Sequence, residues 1–205
     1  MIFYYAPKTV SMAAHIALEE SGANYEARQV NFSVSEQRSA DYLAINPKGR
    51  VPALHTDQGI LTETPAILTY LAHSNPESVL GLSTEPFEFA KIQEFNLYLC
   101  ATVHVAHAHG PRGSRWADDE SALVAMRNKV TTNMAECFAL IEEKYFVGPW
   151  LMGEQYSICD PYLFTIASWL DVDGVDIRDF PRINDFYARM KARPAVEKVY
   201  ALHYP

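Results

Sequence analysis

The hydrophobic periodicity of this chain changes once, near residue 75, and that change limits the possible fold more than any other feature. Before it, short β-type runs alternate with helical ones; after it, apolar residues recur only at spacings of three and four. Ile2-Phe3-Tyr4-Tyr5 is a buried-strand candidate. Ala6-Pro7 breaks it, and Ser11 stands where the N-cap of a helix through Glu20 is expected, with Met12, Ala13, Ile16 and Ala17 on its apolar face. A second strand fits Ala27 to Phe32, followed by polar, irregular chain with a short helix from Ser39 to Ala44. Ala53-Leu54-His55 and Gly59-Ile60-Leu61-Thr62 read as a hairpin across Thr56-Asp57-Gln58-Gly59. Thr64-Pro65, an N-cap with proline behind it, opens a helix to about His73. The order βαβ and then ββα predicts an α/β unit, a small mixed sheet with helices packed on it.

Beyond Ser74 the pattern is helical throughout. Asn75-Pro76-Glu77-Ser78 through Thr84-Glu85-Pro86 reads as a linker. Phe89, Ile92, Phe95, Leu99 and Val103 predict one long helix to about His109; Leu123, Met126, Val130, Met134, Cys137 and Ile141 predict a second. A third starts near Ser157 to Asp160 and carries Leu163 to Leu170, a fourth runs from Ile183 to about Arg193, and a short one spans Ala195 to Ala201. The expected architecture is therefore an α/β domain at 1–76, a linker at 77–87 and an all-α helical bundle at 88–205.

Composition removes several classes of function. The chain has 17 Lys+Arg against 25 Asp+Glu, a net charge of −8, so a general nucleic-acid binder or anionic-membrane binder is not expected. No apolar run approaches the roughly 20 residues of a membrane span. The first residues lack a basic n-region and a long h-region, which argues against a signal peptide. Three cysteines, Cys100, Cys137 and Cys159, form no Cys-x-x-Cys motif and fit reduced thiols in a cytoplasm.

Four segments could carry chemistry. Tyr5-Ala6-Pro7-Lys8-Thr9-Val10-Ser11 brings a strand end, a turn and a helix N-terminus together, which suits an anion or thiolate; a plain N-cap explains the same serine. Asn46-Pro47-Lys48-Gly49-Arg50-Val51-Pro52 puts an X-Pro bond at the mouth of a strand, where a cis bond would expose the main-chain groups of Val51; an ordinary turn is the alternative. Glu63 and Thr64 set a carboxylate and a hydroxyl at another helix start, a pairing that could hold an α-amino-acid head or serve only as a cap. The fourth segment, His104 to Trp116, holds His104 and His107 on one helix face. That i,i+3 pair is compatible with a metal, but no carboxylate or cysteine nearby completes a site and no metal is expected; surface or packing histidines explain the same pair. Tyr98, Trp150, Phe164 and Trp169 sit at helical spacings and read as core.

Taken in order, Tyr4-Tyr5-x-Pro7, Ser11-x-x-x-His15-Ile16-Ala17-Leu18, Val51-Pro52 and Glu63-Thr64 resemble the cytosolic glutathione transferase family, most closely its bacterial beta class. The resemblance covers essentially the whole chain. It implies a thioredoxin-like N-terminal domain, a C-terminal helical domain and a homodimer. It includes Ser157-Ile158-Cys159-Asp160, which matches the family's structural helix-capping motif. It further implies glutathione as co-substrate, with Thr9, Val10, Arg50, Val51, Pro52, Glu63 and Thr64 in its site. His104, His107 and Arg112 would then line the place of a small hydrophobic electrophile. Beta-class members carry a cysteine where this chain has Val10, so a mixed disulfide at that point is not available, and Ser11, with Tyr5 second, becomes the expected activator of the thiol. The implied activity is conjugation of glutathione; the alternatives are a glutathione-dependent disulfide or peroxide reductase and a non-catalytic glutathione-binding regulator.

Overall fold

Alternation along the first strand sets the layers. In the computed structural model, which describes residues 1–205, β1 (Ile2–Tyr5) turns Phe3 and Tyr5 to one face and Tyr4 to the other. β2 (Glu26–Gln29) runs parallel to β1 with Glu26 opposite Ile2, and β3 (Ala53–Thr56) runs antiparallel with Leu54 opposite Phe3. β4 (Gly59–Thr62) completes the hairpin on the far side of β3, giving the order β2-β1-β3-β4. Helices α1 (Ser11–Ser21) and α3 (Thr64–Ser74) cover the Phe3 face. The short α2 (Ala40–Ile45) covers the other, where Tyr42 meets the edge of Tyr4 at 5.9 Å. This is the small mixed sheet with packed helices that the strand and helix order predicts, in the thioredoxin-like form that the resemblance implies.

Two local expectations need correction. β2 ends at Gln29 instead of reaching Phe32, because polar side chains seize the backbone. The Asn31 side chain accepts the Ser33 N–H at 3.0 Å and the Glu36 carboxylate accepts the Asn31 N–H at 2.6 Å, winding Phe32–Val34 into a 3₁₀ turn. Ser11 is not the cap of α1 but its first residue; Thr9 receives the first free amides, its hydroxyl that of Ser11 at 3.3 Å and its carbonyl that of Met12 at 3.1 Å. At α2 the reading holds, with Ser39 accepting the Tyr42 N–H at 3.2 Å.

The segment after α3 is anchored in spite of its loop composition. Leu80 is fully buried, and at Gly81 (φ +32°) a Cβ would stand 2.6 Å from the Tyr156 carbonyl oxygen, so only glycine fits. The rest is helical. α4 (Pro86–Tyr98) continues through a π-type turn at Leu99–Val103 into α5 (His104–Ala108). α6 (Glu120–Leu140) closes in a second such turn at Ile141–Tyr145, and α7 (Cys159–Ala167), α8 (Pro181–Lys191) and α9 (Pro194–His203) follow. α7 is buried along its whole length and forms the axis of the bundle. Its start is fixed by Asp160, whose carboxylate accepts the N–H and hydroxyl of Ser157 (2.7 and 3.1 Å) and the N–H of Leu151 at 2.9 Å.

One apolar core of 44 buried residues runs from Phe3 and Leu54 in the sheet to Phe164 and Phe186 in the bundle. The two domains therefore share a core instead of meeting across a wet seam. α1 is the element common to both, packing on α7 and α9. No helix is long and apolar enough to cross a membrane.

Candidate active site

A cavity of about 710 Å³ opens where the loops at the strand ends face α5 and α7. Its N-terminal wall is built from the three predicted segments. Thr9 and Val10 enter from the turn before α1, Arg50, Val51 and Pro52 from the approach to β3, and Glu63 and Thr64 from the start of α3. His104, His107 and Arg112 form part of the opposite wall. Every sequence-selected residue lines the cavity except the two chosen as activators, Ser11 and Tyr5.

Ser11 is displaced by its own hydrogen bonds. It is fully buried, and its Oγ accepts the Ala6 N–H at 3.2 Å while lying 3.1 Å from the Ala6 carbonyl and 2.7 Å from Thr9 Oγ1. Thr9 Oγ1 in turn lies 2.8 Å from the same carbonyl. A hydroxyl has one hydrogen, and two hydroxyls facing each other and a shared carbonyl use both. Neither is left to donate into the cavity. Tyr5 fails for a different reason: it is 7% exposed and its ring packs between His15 (4.9 Å) and His203 (5.2 Å), on the core side of β1. What the turn does offer is backbone. Val10 (φ −58°, ψ −16°) sits just ahead of α1, and its N–H has no acceptor within the chain.

The second segment contains a cis Val51–Pro52 bond, and neither the N–H nor the carbonyl of Val51 finds a partner within the chain. Tyr42 and Asn46 brace the loop by donating to the Arg50 carbonyl at 2.7 and 2.6 Å. At the third segment Glu63 has φ +75°, a region that non-glycine residues avoid. Its carboxylate accepts from Lys48 Nζ through Oε1, leaving Oε2 free beside the cavity. Lys48 has no role in the sequence reading; its partner lies 15 residues away across the hairpin, a contact no local pattern reveals.

On the helical side the two histidines differ. Burial, reinforced by the neighbouring His107 and by the positive Arg115 and Arg50, pulls the His104 pKa down to about 4, so its imidazole is neutral at neutral pH. His107 Nδ1 donates to the Asp173 carboxylate, 2.9 Å from each oxygen. The expectation that no carboxylate stands near these histidines is thus corrected: Asp173 arrives from 66 residues away in sequence. Even so, no group of three His, Cys, Asp or Glu side chains is placed to hold a metal ion. Trp169, read from its spacing as core, is both buried and cavity-lining, and stacks on His107 with ring centroids 4.3 Å apart. Arg38, Arg50 and Arg112 crowd Arg115, whose pKa is lowered by burial and by their charge. The cavity is positive inside a chain of net charge −8, which favours an anionic occupant.

Residues 1–73 match the family model described as glutathione S-transferase, N-terminal domain, and residues 117–194 match that described as glutathione S-transferase, C-terminal domain. The glutathione S-transferase GstA of Escherichia coli O157:H7 is 32% identical over 96% of both chains. A glutathione transferase homologue from Sulfitobacter, solved with bound glutathione, is 44% identical and superposes with a TM-score of 0.94 over 98% of this chain and 97% of that one. A bacterial beta-class glutathione S-transferase from Sphingomonas chungbukensis superposes with a TM-score of 0.86 at 27% identity, covering 100% of this chain and 99% of that one.

Proposed function

The chain belongs to the glutathione S-transferase family, and we propose that it conjugates glutathione to small electrophiles in this cavity. The observation that carries this reading is that backbone and side-chain groups lacking partners line the cavity at three separate strand or helix ends. Glu63, with its free Oε2, takes the ammonium of the γ-glutamyl head. Thr64 and the start of α3 take its carboxylate. The main chain of Val51 pairs with the peptide, and Arg50 lies beside the tripeptide's charge. The sulfur goes to the Val10 N–H at the N-terminus of α1.

The magnitudes suffice. A free thiol has a pKa of about 8.5, and lowering it by about two units takes roughly 2.7 kcal/mol. A helix N-terminus supplies roughly 0.3–2 kcal/mol and one hydrogen bond to the charged form roughly 1.5–3. The thiolate then attacks an electrophile held against α5 and Trp169. Because residue 10 carries no thiol, conjugation is favoured over a redox cycle through the protein's own sulfur. We assign the domains to 1–76 and 88–205 with the linker at 77–87, whose last two residues already form the first turn of α4, and place the protein in the cytoplasm as a homodimer. The three unpaired cysteines fit a reducing compartment, and the exposed Phe87 and Leu97 on α4 supply apolar surface for a subunit contact.

Calorimetry with glutathione tests the site, and turnover of 1-chloro-2,4-dinitrobenzene tests the activity. Glu63→Ala should weaken glutathione binding by about 1.5–3 kcal/mol, the scale of a charge-assisted hydrogen bond. Unchanged affinity would place the amino-acid head elsewhere, and absence of turnover in the wild type would reject the transferase reading.

A further inference from the structure

His107 is fixed on two sides and open on the third. Asp173 holds Nδ1 at 2.9 Å from both carboxylate oxygens, and Trp169 lies under the ring at 23° to its plane. The remaining nitrogen, Nε2, has no partner within the chain, and His107 lines the cavity. Asp173 is itself held: its N–H donates to the Trp169 carbonyl at 3.0 Å and its carbonyl accepts from Thr131 Oγ1 at 2.7 Å. Its side chain is 3% exposed and has no hydrogen-bond partner but His107. A carboxylate buried to that degree is costly unless its partner balances it, and here the partner is an imidazole that faces the reaction space. A pair that served packing alone would gain nothing from an open Nε2. An imidazole oriented by a carboxylate, with its second nitrogen toward the substrate, is the arrangement that general acid–base catalysis requires.

His104, one turn earlier, is neutral at neutral pH and has no carboxylate behind it, so the two histidines are not interchangeable. We propose that His107, oriented by Asp173, is the proton donor to the second substrate, and that the cavity is built for electrophiles that develop negative charge on oxygen when sulfur adds, of which an epoxide is the simplest. The proposal rests on the transferase reading given above. As the glutathione sulfur forms its bond to an epoxide carbon, the carbon–oxygen bond breaks and its electron pair goes to oxygen. That oxygen takes the proton from Nε2 of doubly protonated His107. The ring, now neutral, keeps its proton on Nδ1, hydrogen-bonded to the Asp173 carboxylate, and Nε2 regains the other from solvent. His107 is thus a catalytic residue and Asp173 a positioning residue. An aryl chloride expels chloride and needs no such proton, so it serves as the internal reference.

The experiment measures kcat and KM of the wild type, His107→Gln and Asp173→Asn with styrene oxide and with 1-chloro-2,4-dinitrobenzene, with glutathione affinity as a check of the fold. The expected result is that both variants lower kcat for styrene oxide at least tenfold more than kcat for the aryl chloride. Equal losses on the two substrates would show a structural pair and overturn the proposal, as would no loss on either. A wild type that turns over the aryl chloride but not styrene oxide overturns the proposal and leaves the transferase reading standing; a wild type inactive on both overturns the two together.

Discussion

Removing one amide hydrogen separates the two ways in which the turn before α1 could activate a thiol. Val10 has φ −58°, close to the value proline fixes, and its N–H is unpartnered, so Val10→Pro deletes a donor without demanding a new φ at residue 10. The pKa of bound glutathione should rise by about 1–2 units, with conjugation at neutral pH slowed roughly 10- to 100-fold and restored at alkaline pH. Ser11→Ala should leave that titration where it is and instead lower stability by about 1–3 kcal/mol, because the buried Ala6 N–H loses its acceptor. Thiolate absorbance against pH, with urea unfolding alongside, reads both. A shifted Ser11→Ala curve beside an unshifted Val10→Pro curve would return the role to the hydroxyl. The sequence places Ser11 at the right turn but cannot show which way its hydroxyl points. That direction is decided by Ala6 and Thr9, each five residues away or fewer, through bonds that leave no trace in composition or spacing.

At the scale of elements, legibility follows the range of the interactions. The hairpin, the start of α2 and the start of α7 are read correctly because their determinants lie within about four residues. The long helix is also read as one unit from Phe89 to about His109, but its first turn, Pro86 to Glu88, overlaps the expected linker, and its π-type turn at Leu99–Val103 has no sequence signal. That turn displaces the helix just before His104, so the wall of the cavity owes its placement to a feature the periodicity hides. Asp173 and Lys48 are invisible for the same reason as any tertiary partner: hydrophobic period reports which face is buried, not what is buried against it. The Ser157–Asp160 cap shows the opposite case, a local motif with a long-range consequence. Asp160 fixes the first turn of α7 and also ties it to Leu151, so one carboxylate closes three donors in a dry interior. Asp160→Ala should cost about 3 kcal/mol or more and slow or prevent folding, while glutathione affinity of the fraction that folds stays near that of the wild type. A variant as stable as wild type in urea would show that the cap is dispensable.

For the whole molecule, the continuity of the core across both domains places the closure of the fold on α1 and α9. Arg193 pairs with Glu20 at 2.6 Å and Lys198 with Glu19 at 2.9 Å on the rim of that contact, and inside it His15 and His203 share one hydrogen bond of 3.2 Å. Phe3, Tyr5 and Tyr25 surround the two rings, and Glu19 and Lys198 are the charges nearest His15. Burial holds His15 down at about 4 and His203 at about 3, against 6.5 for each in the unfolded chain. Since the unfolded state takes up protons first, stability falls as pH drops below about 6.5 and stops falling only below the folded values. For one imidazole shifted to about 4 the loss by pH 5 is about 2 kcal/mol, with each unit of difference worth about 1.4 kcal/mol. Asp160, raised to about 6 by its burial, titrates in the same window with the opposite sign, so a wild-type curve alone would blend the two. The His15→Leu/His203→Leu double variant keeps Asp160 and removes the pair. Between pH 7 and pH 5 the wild type should lose about 2–4 kcal/mol more unfolding free energy than the double variant, measured in urea at each pH. Parallel curves for the two proteins would mean that the imidazoles are already protonated, or accessible to water, in the folded state, and that α9 is held to α1 by its apolar contacts and rim ion pairs alone.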